Sequence, residues 1–355
     1  MIKPNSILEV NTKNIIYNYK ALAKISNNSL CAATIKADGY GIGAIKIIEI
    51  LEKNKCKHFF VVSLEEALLI RKKKKKTILY VLNGIESHNL QIFKKNNLIP
   101  IINSITELKL LVKNNNYKKP IKFGLNIETG LNRLGVSINE LNSFNTTKLK
   151  LTILISHLSS AEERKNNYNI FQNNKFKDSF KYFKNLQYKS LSNSMGILLG
   201  KDYHHDLVRP GISLYGGHFN TKMESIIRPV ICLKGKVLQI KEINKNEFIG
   251  YNQTFKTRKK IKVAIIGIGY ADGISRGLSN KGEVYYKNKT YKIIGRVSMD
   301  SITVDIAKNH QKIKEGMYME LINHKYGIDY HAKKSKTICD EVLTSISKRV
   351  KRVYI

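Results

Sequence analysis

The chain is organised around residues 30–43, L-C-A-A-T-I-K-A-D-G-Y-G-I-G. The apolar run from Leu30 to Ile35 has the length and bounding of a buried strand, and Lys36 stands at its end, before a glycine-rich turn. A lysine there is either a solvated loop residue or a nucleophilic amine. In a chain this rich in lysine, the solvated reading is the default for the position alone. The rest of the stretch shifts the balance, because Asp38, Gly39, Tyr40, Gly41 and Gly43 build a tight loop around an amine held at a rigid strand terminus. A lysine that forms a Schiff base with pyridoxal phosphate would be placed in this way.

Residues 8–225 alternate short apolar runs with helix-periodic stretches, the pattern of βα units on a parallel sheet. Candidate strands cover 30–36, 58–63, 77–82, 98–102, 121–126, 151–156, 188–192 and 212–215. Eight runs predict an α/β fold with an N-terminal (β/α)8 TIM-like barrel, and a doubly wound open sheet is the alternative. After Pro229, alternating segments such as K-G-K-V-L-Q-I-K and S-I-T-V-D-I predict a C-terminal mostly-β domain over 226–355, which residues 1–7 are free to join. Ile338, Val342, Leu343 and Ile346 fall at helical spacing and predict a short closing helix. In a barrel, chemistry comes from the C-terminal ends of strands. Lys36 ends the first candidate strand, Asn126 the fifth, His157 follows the sixth, and Asn193 with Ser194 follows the seventh.

Composition narrows the classes. At 355 residues and 42% hydrophobic content the chain has room for two domains and a sizeable core. Sixty-two Lys and Arg against 27 Asp and Glu give a formal charge of +35, which raises the question of an anionic partner. The lysines are spread along the whole chain among asparagines and isoleucines, so specific nucleic-acid binding is the minority reading. The dense run Arg71–Lys76 reads as a solvated helix end. Cys31, Cys56, Cys232 and Cys339 lie far apart with no C-x-x-C pair, which suggests neither a zinc site nor a disulfide framework. His204 and His205 adjoin without a third ligand, so no metal is expected. No signal-peptide core or membrane-length apolar stretch is present in the sequence, and a soluble, cytoplasmic protein is expected.

Taken singly, the other polar residues have ordinary readings. Arg133, between Gly130 and Gly135, could cap a helix or pair with a surface carboxylate. A lone histidine such as His157 is by default a satisfied core residue. Ser194 and the backbone N–H groups of Gly211 and Ile212 follow strands seven and eight, the usual phosphate position of barrels, although S-N-S-M-G and R-P-G-I could equally be plain turns.

Together, however, the Lys36 loop, L-N-I-E-T-G-L-N-R-L-G, I-S-H-L-S-S, D-L-V-R-P-G-I-S-L-Y-G, E-F-I-G-Y-N-Q-T-F, G-I-G-Y-A-D-G and R-V-S-M-D closely resemble, in order, the motifs of the alanine racemases. The resemblance spans nearly the whole chain. It implies a pyridoxal-phosphate enzyme that interconverts L- and D-alanine for peptidoglycan, as a homodimer with shared active sites. Lys36 would carry the cofactor and act as base on one face of the substrate, and Tyr251 from the partner subunit would act on the other. The resemblance also gives Tyr40 a phosphate contact, stacks His157 on the pyridine ring with a hydrogen bond to Arg209, and turns Arg209 toward the pyridine nitrogen. Arg133 and the backbone N–H of Met299 would hold the substrate carboxylate, with Tyr270 and Asp300 at the entrance. Because an unassisted tyrosine has a pKa of about 10, a path from Tyr251 through His157 to Arg209 is expected to help it. Two positions depart from the pattern. Asn126 stands where many members have a carbamylated lysine, and some members, broad-spectrum racemases included, have asparagine there with a bound chloride, so a chloride near Asn126 and Arg133 is an expectation. Lys348 stands in line with a tyrosine of other members. Both departures keep a broad-spectrum amino-acid racemase as an alternative, beside a fold-related pyridoxal-dependent decarboxylase of basic amino acids.

Overall fold

Seven short parallel strands lie side by side in chain order: Ala33–Thr34, His58–Val61, Ile78–Val81, Ile99–Ile102, Gly124–Asn126, Lys150–Ile155 and Asn185–Ser190. These come from a computed structural model, which describes residues 3–114, 120–146, 149–307 and 312–355. The ring is closed by Leu207–Val208, which pairs in parallel with Leu30–Cys31. On its other side, Asp206 N donates to Lys189 O at 3.0 Å and Arg209 N to Ser192 O at 2.9 Å. The result is the expected barrel, with one strand displaced. The segment 212–215, expected as the eighth strand, is the 3-10 turn Ile212–Tyr215, and the strand lies five residues earlier. Pro210 brings no N–H to a ladder and ends the strand. Beyond it all four residues of I-S-L-Y are buried, and a continuous buried run does not distinguish turn from strand by periodicity.

Inward-facing residues fill the barrel. Ala32, Phe60, Tyr80, Ile99, Ile101, Ile153, Ile155 and Leu207 form one buried cluster, with Phe60 and Tyr80 stacked at 4.5 Å between ring centroids. This plug is the floor of the cavity described below.

The second domain is an eight-stranded sheet ordered Ile261–Ile266, Ile302–Asp305, Lys289–Ile294, Glu283–Tyr286, Tyr318–Ile322, Ile231–Ile243, Ser6–Val10 and Lys351–Tyr354. Ile261–Ile266 also pairs with the long strand Ile231–Ile243, so the sheet curls back on itself. All pairings are antiparallel except that of Ser6–Val10 with Lys351–Tyr354, which joins the two ends of the chain. The closing helix is Cys339–Ser345, with Val342 and Leu343 buried and Ile346 at its C-cap. Ile338 leaves that apolar face and is 54% exposed.

The basic run behaves differently from a fully solvated helix end. Lys72, Lys73, Lys75 and Lys76 are exposed, but Arg71 is buried and donates to the carbonyls of Lys74, Lys75 and Asn97. It ties down the turn that follows its own helix, Leu64–Lys73, through the carbonyls of the cap residue Lys74 and of Lys75. All four cysteines are free thiols. No helix among the described residues is long and apolar enough to cross a membrane.

Candidate active site

Lys36 emerges from the first barrel strand into an unusual turn. Ala37, Asp38, Gly39, Tyr40 and Gly41 all have φ between 53° and 79°, one turn of left-handed helix. Such a backbone costs roughly 1–2 kcal/mol for each of its three non-glycine residues, so neighbours must impose it. Glu66 accepts the N–H of Ala37 at 2.6 Å and that of Val62 at 2.9 Å, one oxygen each. Asp38 takes the N–H of Ala44 at 2.8 Å. From the second domain, Arg352 Nη2 donates to Gly41 O at 2.8 Å and the Tyr354 hydroxyl to Ile42 O at 2.6 Å. Gly41 has a second reason to be glycine, because a Cβ there would lie 2.8 Å from Leu343 O. Glu66→Ala should therefore orphan two amides, at about 1–3 kcal/mol each, and loosen the turn. Thermal melts and limited proteolysis near Lys36 would read both effects; an unaltered melt would show that the second domain alone holds the turn.

Above the aromatic floor opens a cavity of about 800 Å³. Its lining brings together Lys36, Tyr40, Asn126, Arg133, His157, Asn193, Ser194, Arg209, Gly211 and Ile212. Ten residues singled out in the sequence thus share one chamber at the C-terminal ends of the strands.

Arg209 is buried and held by protein. Its Nη1 donates to Ser190 O at 2.8 Å and to Ser190 Oγ, and its Nη2 donates to Ser156 O at 2.6 Å. The Nε–H has no protein acceptor among the described residues and is left for the cavity that the residue lines. Burial lowers the guanidinium to about 10, still cationic at neutral pH. The expected hydrogen bond to His157 is not formed, because backbone carbonyls take its place. His157 instead sits with Nε2 3.5 Å from Asn193 Nδ2. Burial, then Arg209, Arg133 and Lys36, push it down to about 3, so it is a neutral imidazole at working pH.

Burial likewise lowers His331 and His205 to about 4. An unfolded histidine titrates near 6.5, so all three must stay neutral in the folded chain. The stability they contribute is complete above about pH 6.5 and is lost as pH falls from there toward the folded values. The melting temperature should fall steadily between pH 7 and pH 4, with no His157 titration visible by NMR above about pH 5. A histidine signal from His157 that titrates near 6.5 would contradict the burial.

At the far end of the cavity, Ser194 Oγ accepts from Gly211 N at 2.9 Å and Ser213 N at 3.3 Å. The Ile212 N–H and the hydroxyls of Ser194 and Tyr40 have no protein acceptor among the described residues, and all three residues line the cavity. A side chain at Gly211 would collide with the Tyr40 hydroxyl. Three free donors around a bare glycine form a cradle for an oxyanion.

Arg133 rides on a loop fixed at both ends. Glu128 accepts the N–H groups of Gly130 and Arg133, the latter at 3.3 Å. At the base, Asn126 Nδ2 donates to Asn103 Oδ1 and Leu134 O, both at 3.0 Å. Both amide hydrogens of Asn126 are therefore committed to protein, and it has no donor to offer a chloride beside Arg133. Asn103, Glu128 and Glu66 were not evident in the sequence, since nothing local marks a carboxylate or amide that serves the backbone of another segment.

Tyr251, Tyr270, Met299 and Asp300 stand apart from this chamber. They lie on the second domain, with Tyr251 68%, Met299 52% and Tyr270 41% exposed. Their loops adjoin: Tyr270 N donates to Ser298 O at 3.0 Å, and a Cβ on Gly250 would lie 3.0 Å from Arg296 N. Arg349 ties Asp300 at 2.8 Å to Asp272, which it also grips at 2.7 and 2.9 Å. Asp272 thus anchors an ion-pair network as well as its own turn. Lys348 is exposed and does not line the cavity.

Sequence comparison matches residues 10–218 to the N-terminal domain of alanine racemase and residues 230–354 to its C-terminal domain. The chain belongs to the alanine racemase family. It is 39% identical to an alanine racemase of Rickettsia canadensis (strain McKiel) and 38% identical to one of Rickettsia africae (strain ESF-5), over 98% of both chains in each case. Among solved structures, alanine racemase from Bartonella henselae with covalently bound pyridoxal phosphate superposes with a TM-score of 0.93 at 33% identity, covering 99% of this chain and 100% of that one. Alanine racemase of Clostridium difficile 630 gives 0.89 at 28%, over 100% and 97%. As a member of the alanine racemase family the protein is an enzyme, with its barrel and β domain in the order the family has them.

Proposed function

We propose that the protein interconverts L- and D-alanine with pyridoxal phosphate held in the barrel cavity, supplying D-alanine for peptidoglycan. The observation that carries this reading is the arrangement of Lys36, the unpartnered Arg209 Nε–H and the Tyr40–Ser194–Ile212 cradle along one chamber. It offers an amine, a donor for a ring nitrogen and an oxyanion site, the three attachments the cofactor needs. When bound, pyridoxal phosphate supplies the electron sink that acidifies the α-proton of an amino acid.

The chain's own residues do the rest. Tyr40, Ser194 and the N–H of Ile212 hold the phosphate, with Gly211 leaving room for it. Arg209 donates to the ring nitrogen without surrendering its proton, so the ring stays less electron-withdrawing than with a carboxylate partner, and side reactions are restrained. His157 and Asn193 pack beside the ring as neutral groups. Arg133 fixes the substrate carboxylate. Lys36 takes or returns the α-proton on its face, and a tyrosine on the opposite face returns or takes the other, so no net proton is consumed.

That second base is Tyr251 of the partner subunit. In its own chain the residue is 68% exposed and outside the cavity, so it is available to a neighbouring chain. Met299 and Tyr270 share that exposed edge and would complete the entrance of the neighbouring site in a homodimer. Nothing about Asn126 or Lys348 favours a wider substrate range, since one is committed to protein and the other lies outside the chamber. The buried cation at Arg209 is also the wrong partner for a decarboxylase that pairs the ring nitrogen with glutamate.

Incubation of L-alanine in D2O tests the reaction type. The α-proton signal should disappear as D-alanine accumulates. Release of carbon dioxide and an amine instead would overturn the reading.

A further inference from the structure

The chamber walls are cationic on the barrel side, through Lys36, Arg133 and Arg209. Two carboxylates also line it, Glu162 and Asp340, and Glu162 is exposed. Asp340 is half-buried in the first turn of Cys339–Ser345, the helix that packs against the Lys36 turn. Gly41 touches that same helix through the close approach of Leu343 O. The carboxylate is satisfied only weakly, by the Cys339 thiol at 3.7 Å and by its own backbone N–H. Neither Asp340 nor Lys36 is engaged in an ion pair among the described residues. The other carboxylate close to Lys36 is Glu66, and both its oxygens are taken by backbone amides.

We propose that Asp340 is the counter-charge of Lys36: a positioning residue supplied by the second domain that favours the ammonium form of the amine and so sets the pH at which it becomes a nucleophile and base. Only the consequence for turnover rests on the cofactor role of Lys36. The coupling of the two charges is a property of the free chain.

The groups facing each partner fit this balance. Burial and then Arg133 hold the Lys36 amine below the usual lysine range, while Asp340 and Glu66 pull it back up. His157 faces it as a neutral imidazole. On the other side, burial and Asp329 raise the Asp340 carboxyl, whereas its own backbone N–H, the Cys339 thiol and Lys36 lower it. Tyr40 remains a neutral phenol, pushed up by burial and by Asp340 and Cys339. Asp340 is thus the uncommitted anion through which the second domain reaches the amine, and opposite charges in a partly desolvated chamber interact far more strongly than in water.

Competitive acetylation of the cofactor-free protein with trace acetic anhydride, across a pH series, reads the Lys36 amine directly by peptide mass spectrometry. With Asp340→Asn the reactivity midpoint of Lys36 should move to lower pH. Near pH 8 its rate relative to surface lysines should rise about three- to tenfold. Asp340→Glu, which keeps the charge, should stay near wild type, and Asp340→Ser should repeat the asparagine result with a different shape. In the holoenzyme the acid limb of kcat/KM should move the same way. Coincidence of the Asn, Ser and wild-type labelling curves would overturn the proposal. A labelling shift in a protein that fails to racemise alanine would leave the charge coupling in place and remove the proposed function instead.

Discussion

Lys36→Ala should abolish alanine racemisation, by on the order of 10⁴-fold or more. The reason is geometric as well as chemical. Lys36 is the amine at the end of the first barrel strand, presented by a left-handed turn that Glu66, Arg352 and Tyr354 hold from three directions. Among the described residues no other lysine lines the chamber. The same variant should lose the near-visible absorbance of lysine-bound cofactor while retaining weak, non-covalent binding through the Tyr40–Ser194–Ile212 cradle. Its fold should persist, because truncating a partly exposed side chain leaves the backbone bonds of the turn intact. Retention of the absorbance would mean that another amine holds the cofactor.

Tyr251→Phe should lower turnover by roughly 10²–10⁴-fold, the range for losing a positioned acid or base. The loss should be directional. In single-turnover isotope exchange, proton removal from L-alanine should suffer far more than removal from D-alanine, for which Lys36 is the base. An equal loss from both enantiomers would argue against two bases on opposite faces.

The residue's exposure adds a second test. If Tyr251 serves a neighbouring chain, mixing Lys36→Ala protein with Tyr251→Phe protein should restore activity that neither has alone. Random exchange makes half of the dimers mixed, and each mixed dimer has one intact site of two, so about a quarter of wild-type activity should return. No recovery, with exchange verified, would confine Tyr251 to its own chain.

Much of this site was legible because barrels confine chemistry to one end of their strands. Lys36, Asn126, His157 and Asn193 stand beside apolar runs that periodicity detects, so locating the strands also located them. Arg209 was read from its motif while its strand was misplaced. Leu207–Val208 is only two residues long, and the longer apolar run after Pro210 outweighed it.

Features made by distant pairing left little local trace. Ser6–Val10 joins the second sheet by pairing with strands more than two hundred residues away. Nothing in R-K-K-K-K-K reveals that Arg71 is buried against the carbonyls of Lys74 and Lys75, just past the end of its own helix. Glu66 and Asp340 look like ordinary charges near helix starts, and only the fold brings them to Lys36. The hydrogen bonds of Asn126 were hidden for the same kind of reason, since Asn103 and Leu134 O, which use its amide, are brought to it by the fold.

The most direct test of the central claim is the chirality of amino acids after incubation with purified, cofactor-saturated protein. L-alanine would be measured beside L-serine, L-lysine and L-arginine. The predicted result is conversion of L-alanine to a racemic mixture, with the other three essentially unchanged. L-alanine that keeps its optical activity while cofactor is bound would contradict the account.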